Sequence, residues 1–354
     1  MLKLLSFVIF VMWLLGCQST IDVASEHSIT NQSNFAPKPL YVDPTYDGAA
    51  DPVVIWNIQE KKWFMFYTNR RATMANAKGV EWVHGTPIGI AESTDGAHWQ
   101  YKTDANIDYP LLKQDDLATY WAPDVFFNNG LYHMFLTIVP GVFQDWKHPR
   151  SIAHFSSENL LDWQYVSTLK LNSNRVIDAD VVALPEGGYR MFYNDEPDGK
   201  SVYFADSPDL YHWYDQGKAN LSSRGEGPTA FYWQGYWWLV VDAWQGLSVY
   251  RSEDLKHWQQ QTKRLLEQPG TGAQDGVKGG HPDVIVNNGK AYLYYFVHPG
   301  NTEKNKGIDN AMTRRSVIQV TELILQDGWL TCDRNSDTVL SLMPEISNMK
   351  QWGR

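Results

Sequence analysis

Five short stretches of the chain set an acid or a histidine just ahead of an apolar run. They are Asp51 in ADPVV, Asp124 in APDVF, Asp178 and Asp180 in IDADVV, Glu226 in GEGPT, and His281 with Asp283 in GGHPDVI. Crowded like charges destabilise a fold, so acids gathered in one place point to chemistry. Two carboxylates across a cleft suit the cleavage of a glycosidic bond. One, kept protonated, donates to the leaving oxygen; the other, ionised, activates water or attacks the anomeric carbon. A third carboxylate nearby raises the proton affinity of the donor.

The elements that position these residues follow from two alternating repeats. The first is a pair of strands around a tight turn: DPVVIWNIQEKKWFMFYTN, APDVFFNNGLYHMFLTIV, DADVVALPEGGYRMFYND, EGPTAFYWQGYWWLVVD and HPDVIVNNGKAYLYYFVH. Asn-Gly and Gly-Gly between runs rich in β-branched and aromatic residues are hairpin signals. The second is an alternating strand, then Ser-x-(Asp/Asn), a short turn and a tryptophan, at Trp99, Trp163, Trp213 and Trp258. SVIQVTELILQDGWL is a degenerate fifth copy. A hairpin plus this ribbon makes a four-stranded sheet, and five such units fill the chain. The expected fold is all-β, a five-bladed β-propeller with four-stranded antiparallel blades. In a propeller the innermost strands open onto one face, so the five acid-bearing entrances converge.

The set ADP, APDV, IDAD and GEGP, each opening a hairpin in this order, resembles glycoside hydrolase family 43 and its five-bladed relatives over 41–332. The resemblance implies Asp51 as general base, Glu226 as general acid and Asp178 as the residue that tunes the acid and orients the sugar. It implies inversion, with carboxylates about 6.5–9.5 Å apart so that a water fits. Asp178 and Asp180 are two apart and therefore share a strand face; Asp178 fits the family pattern better, with Asp180 kept as a substrate contact. The Asn-Asp-Pro, Arg-Asp-Pro and Glu-Cys stretches of related fructan-cleaving propellers are absent. The chain otherwise reads as a divergent branch, so arabinose or xylose specificity is not carried over.

Further residues are candidates around the funnel. Trp121 is a sugar platform, and Asp124 and Asp283 pin strand entries. His281 contacts substrate or, as in arabinanases of the resembled family, stands near a structural calcium; no cofactor is otherwise required. Arg70-Arg71 and Arg314-Arg315 would suit an anionic sugar if they faced the cleft. His84 and Trp82 lie in a long loop, 70–87, fit for a pocket rim. Lys278 and Asp275 could line the site as well. A closed pocket with such loops suggests exo-action on an oligo- or polysaccharide end.

Composition narrows the partners. The chain has 354 residues, 43% hydrophobic and 14% aromatic, with 16 Trp, 19 Tyr and a formal net charge of -10. That balance supports a large core and argues against nucleic acid. Lys3 and the apolar run LLSFVIFVMWLL end in Leu14-Leu15-Gly16-Cys17, a lipoprotein-type signal peptide over 1–17 with Cys17 as the lipidated residue. Residues 18–39 read as a polar tether and 40–354 as one catalytic propeller. Gln18 points to the outer membrane or periplasm of a bacterial envelope, with the membrane reached only through the lipid. Cys332 is the only other cysteine, which excludes a disulfide framework. Five blades can close without a partner, so a monomer suffices. The rival readings are a non-catalytic glycan-binding lipoprotein and a phosphorylase or transferase.

Overall fold

A computed structural model describes residues 34–112 and 117–344. Four sheets of four strands and one of five carry the architecture, and within each blade four consecutive strands lie side by side in sequence order. The innermost strands are Ala49–Asn57, Thr119–Asn128, Val176–Ala183, Glu226–Trp233 and Gly280–Asn287. Each touches the innermost strands of the blades before and after it, and the last touches the first, which closes the ring. This is the five-bladed propeller expected from the repeats. The fifth strand of the second sheet, Asn106–Asp108, runs parallel to Asp162–Thr168.

Local chemistry explains the repeats. In the Ser-x-Asp turn, Ser93 Oγ accepts the Asp95 and Gly96 N–H groups, and Asp95 Oδ1 accepts those of Ala97 and His98. Trp99 Nε1 then closes the turn on Gly96 O at 2.7 Å. Side chains thereby satisfy backbone donors that a four-residue reversal would leave open. The same bonds recur at Ser207, Asp209 and Trp213. The fifth blade replaces this turn with Asp327-Gly328, both at positive φ, a two-residue hairpin.

Apolar clusters fill the gaps between blades. Val182, Phe192, Leu239 and Tyr250, for example, are buried together between the third and fourth sheets. The ring is also laced by its ends. Tyr41 bridges Ile318, and Lys38 Nζ donates to the carbonyls of Arg334, Asn335 and Ser336. Leu340 and Leu342 pack among first-blade residues. The folded unit accordingly begins at Asn34; the segment 34–39 read as the end of a tether is part of the propeller, because Phe35 bridges Val339 and Ala36 is buried. Cys17, the signal segment and the rest of the tether lie outside the described residues.

Candidate active site

Every innermost strand carries the same irregularity. The pairing register slips between Ala50 and Val53, Trp121 and Asp124, Ile177 and Asp180, Glu226 and Thr229, and Gly280 and Asp283. The first residue inside each slip has positive φ: Asp51 53°, Ala122 43°, Asp178 59°, Gly227 53° and His281 40°. A β-bulge with a left-handed residue re-aims the side chain it carries. Such conformations cost energy in non-glycine residues and cluster at functional sites. Here Asp51, Asp178 and His281 occupy three of the five equivalent positions, and alanine and glycine leave the other two open.

These residues line one cleft of about 560 Å³, with Glu226, Asp242, Trp121, Trp146 and Trp244 on its walls. Asp51 is only 4% exposed. Arg70 Nη2 donates to both its oxygens, at 2.9 and 3.1 Å, and His281 Nδ1 lies 3.4 Å away. Burial works against the charge, but Arg70 and His281 outweigh it and hold the carboxyl below its usual value. Asp51 is thus held as the carboxylate. Arg70 is itself backed by His298 Nε2 at 3.2 Å, whose Nδ1 meets Arg315 O at 2.9 Å.

Asp178 behaves differently. Burial pushes it up to about 7, with His281 opposing the rise and the charges of Glu226 and Asp51 adding to it. Its Oδ2 accepts the Gly227 N–H at 3.0 Å, so it also fixes the turn beside Glu226. His281 is raised from its usual value, against burial, by Asp51, Asp178 and Asp242.

Glu226 stands one residue ahead of the equivalent bulge position and is part-exposed, 25%. Its Oε2 accepts from Lys200 Nζ at 2.5 Å and its Oε1 from Trp244 Nε1 at 2.8 Å. Both neighbouring glycines are required. A Cβ on Gly225 would lie 2.3 Å from Val241 Cγ1, and one on Gly227 would lie 2.7 Å from His281 Nδ1 in a left-handed backbone.

Several expected site residues are placed elsewhere. Asp180 does not line the cleft: its Oδ2 accepts the Ala230 N–H at 2.9 Å and ties the third blade to the fourth. The bulge breaks the alternation that would have put it beside Asp178. Asp124 and Asp283 do the same for Val181 and Val54. His84 is buried behind the wall, against Trp121 and Phe143, with Nδ1 on Val80 O. Trp121 does reach the cleft, although buried, with its indole N–H held by Val83 O. Arg71 is used by Glu81 O, Arg314 by Asp309 and Arg315 by Asp47. Asp275 is committed to Arg334, whereas Lys278 lines the cleft. Among the described residues no three His, Cys, Asp or Glu side chains are grouped to hold a metal, and the His281 ring is directed at Asp51.

Lys200, Trp244, Asp242, Glu196, Arg150 and His298 also line the cleft but were not singled out from sequence. Four of them follow or end the second strand of a hairpin. Register would have found them: Val176 pairs with Asp195, and Glu226 with Asp242, so whatever leaves the second strand stands beside the entrance of the first.

The fold has counterparts among solved structures. The chain is similar to a thermostable family-43 glycoside hydrolase, at 16% identity, TM-score 0.59, covering 83% of this chain and 96% of that one. It is similar to a family-43 β-1,3-galactosidase solved with galactodeoxynojirimycin, at 13% identity, TM-score 0.57, covering 80% and 93%. It is also similar to an exo-1,5-α-L-arabinanase from a bovine ruminal metagenomic library, at 14% identity, TM-score 0.55, covering 83% and 99%. No protein-family model matches the chain. No curated protein matches it. The protein is thus a five-bladed propeller of the kind found in family-43 glycoside hydrolases, with a sequence far from the solved ones.

Proposed function

We propose that the protein is an inverting, exo-acting glycoside hydrolase that removes a terminal sugar from an oligo- or polysaccharide. The observation that carries this reading is the pair of unlike buried carboxylates in one aromatic-walled cleft. Asp51 is kept ionised by Arg70, and Asp178 is kept protonated near neutrality by burial and its neighbours. Asp51 is thereby suited to take a proton, and the raised Asp178, bonded to the turn beside Glu226, is the neighbour that tunes Glu226 as the acid.

In the reaction Asp51 accepts a proton from water as that water attacks the anomeric carbon. Glu226, once protonated, donates to the departing oxygen. Asp178 holds the Gly227 turn that aims Glu226 and hydrogen-bonds a sugar hydroxyl. The half-exposed Trp146 and the Trp121 ring supply flat apolar faces for the sugar. Two of the similar structures are described as a galactosidase and an arabinanase, which favours a sugar substrate and leaves its identity to experiment. Cys17 anchors the enzyme by lipid to a bacterial envelope, facing the periplasm or outside, and it works as a monomer without a cofactor.

The test is product release from a panel of arabinosides, xylosides, galactosides, anhydrogalactosides, and uronate or sulfated oligosaccharides. Glu226→Gln should lose about 10²–10⁴-fold on alkyl glycosides and far less on aryl glycosides whose leaving group needs no proton. Equal activity of Glu226→Gln and wild type on an alkyl glycoside would exclude Glu226 as the acid. Binding without any product would favour the glycan-receptor reading, and turnover dependent on phosphate would favour a phosphorylase.

A further inference from the structure

Glu226 is the acid of the proposed reaction, yet its partners in the structure are those of a carboxylate. Lys200 Nζ and Trp244 Nε1 occupy one oxygen each, and neither group can accept a hydrogen bond. A protonated Glu226 would have to turn its O–H away from both donors, towards the solvent that reaches its quarter-exposed side chain. A second carboxylate stands within reach of the same ammonium. Glu196 Oε1 is 3.5 Å from Lys200 Nζ, while Glu196 Oε2 is 2.5 Å from the buried Arg150 Nε, an ionic contact without hydrogen-bond alignment. The Lys200 ammonium also lies 5.4 Å from the Trp244 ring, and its side chain is 37% exposed, so it has room to move.

The backbone of Lys200 adds a second observation. It has φ 59°, and its N–H donates to Glu196 O while its C=O accepts from Gly225 N. One turn thereby links both stations: Glu196 at its start and the glycine before Glu226 at its end. A left-handed backbone costs a lysine some strain.

We propose that Lys200 is a shuttle between two carboxylates, pairing with Glu226 and passing to Glu196 when the substrate's leaving oxygen takes its place. This rests on the hydrolase reading. In the handover Glu226 takes a proton from solvent as the ammonium leaves. It donates that proton to the departing oxygen, and the resulting carboxylate recaptures Lys200 once the product has gone. Lys200 is a positioning residue: it touches Glu226 and not the reacting atoms. Asp178 from the third blade and Asp242 from its own hairpin are the acids nearest Glu226, each raised from its usual value first by burial and in part by the Glu226 charge, and Arg224 lies over the Trp244 ring at 5.3 Å. Lys200 is the cation that pairs directly with Glu226.

The test begins without substrate. The Glu226 side-chain carboxyl is followed by ¹³C NMR against pH in wild type and in Lys200→Asn, since asparagine tolerates the left-handed backbone. The signal is assigned by its loss in Glu226→Gln. Removing the cation should raise the Glu226 midpoint by about 1 unit or more; an unmoved midpoint overturns the proposal. With an alkyl glycoside that wild type hydrolyses, whose leaving group needs the proton, the basic limb of kcat/KM, which reports the free enzyme, should move up in Lys200→Asn. The basic limb of kcat, which reports the complex, should stay. Equal movement of both would mean that the lysine never leaves Glu226. Lys200→Arg should restore the wild-type limb. Glu196→Gln removes the second station and should bring the kcat limb down towards that of kcat/KM; no change there also overturns the handover. If wild type hydrolyses nothing, the hydrolase reading fails, while the NMR titration still decides the ion pair.

Discussion

Asp178→Asn should make the protein more stable and less active, and the gain should depend on pH. In the folded chain Asp178 titrates at about 7, against 3.8 for the free side chain. A carboxyl raised by folding contributes stability that is complete below the unfolded value and is lost as pH rises towards the folded one. At 1.36 kcal/mol per unit, the three-unit gap makes an ionised Asp178 cost about 4 kcal/mol above pH 7. Asparagine removes that cost and keeps an oxygen for the Gly227 N–H. Its amide hydrogens face a site that offers carboxylates on only one side, which takes back about 1–2 kcal/mol. The net expectation is about 2 kcal/mol of added stability at pH 8 and none, or a small loss, at pH 4. For a protein of this size that is a rise of about 3 °C in Tm at pH 8. Thermal unfolding of both forms at pH 4, 6 and 8 measures it, alongside kcat, which should fall by about 10²-fold or more. An equal change in Tm at pH 4 and pH 8 would refute the reasoning, because the gain would then owe nothing to the Asp178 charge.

Two other perturbations follow from the same geometry. Arg70→Gln leaves Asp51 buried without its cation, at a cost of about 3 kcal/mol at pH 7. Because Arg70 lowers Asp51, that loss should shrink as pH falls below 3.8, and the acid limb of kcat/KM should move up; denaturant titration and a pH–rate profile read both. Gly227→Ala places a Cβ 2.7 Å from His281 Nδ1 at φ 53° and should cost about 1–3 kcal/mol, measured by Tm, with kcat lowered through the displaced Glu226.

The propeller was legible because its signals are local and repeated. A tight turn between aromatic strands, and Ser-x-Asp ahead of a tryptophan, each recur along the chain, and side-chain bonds to the turn make them recur. The chemistry was legible where it sits on the entrances themselves, as at Asp51, Asp178 and Glu226. It was misread where the strand departs from period two. Asp178 and Asp180 would share a face on a regular strand, yet the bulge sends one into the cleft and the other to Ala230. His84 looked like a rim residue because the loop length was visible, whereas its packing behind Trp121 was not. Lys200, Trp244 and Asp242 escaped notice because they face the site from the far ends of hairpins. Their position depends on register across the sheet, which a one-dimensional motif does not carry.

The most direct test of the central claim is the stereochemistry of the first product. A glycoside hydrolysed by wild type is followed by ¹H NMR before the free sugar equilibrates, with Asp51→Asn as the comparison. The account predicts a single released monosaccharide whose anomeric configuration is inverted, and no release by Asp51→Asn. Retained configuration, or an Asp51→Asn form as active as wild type, would contradict it.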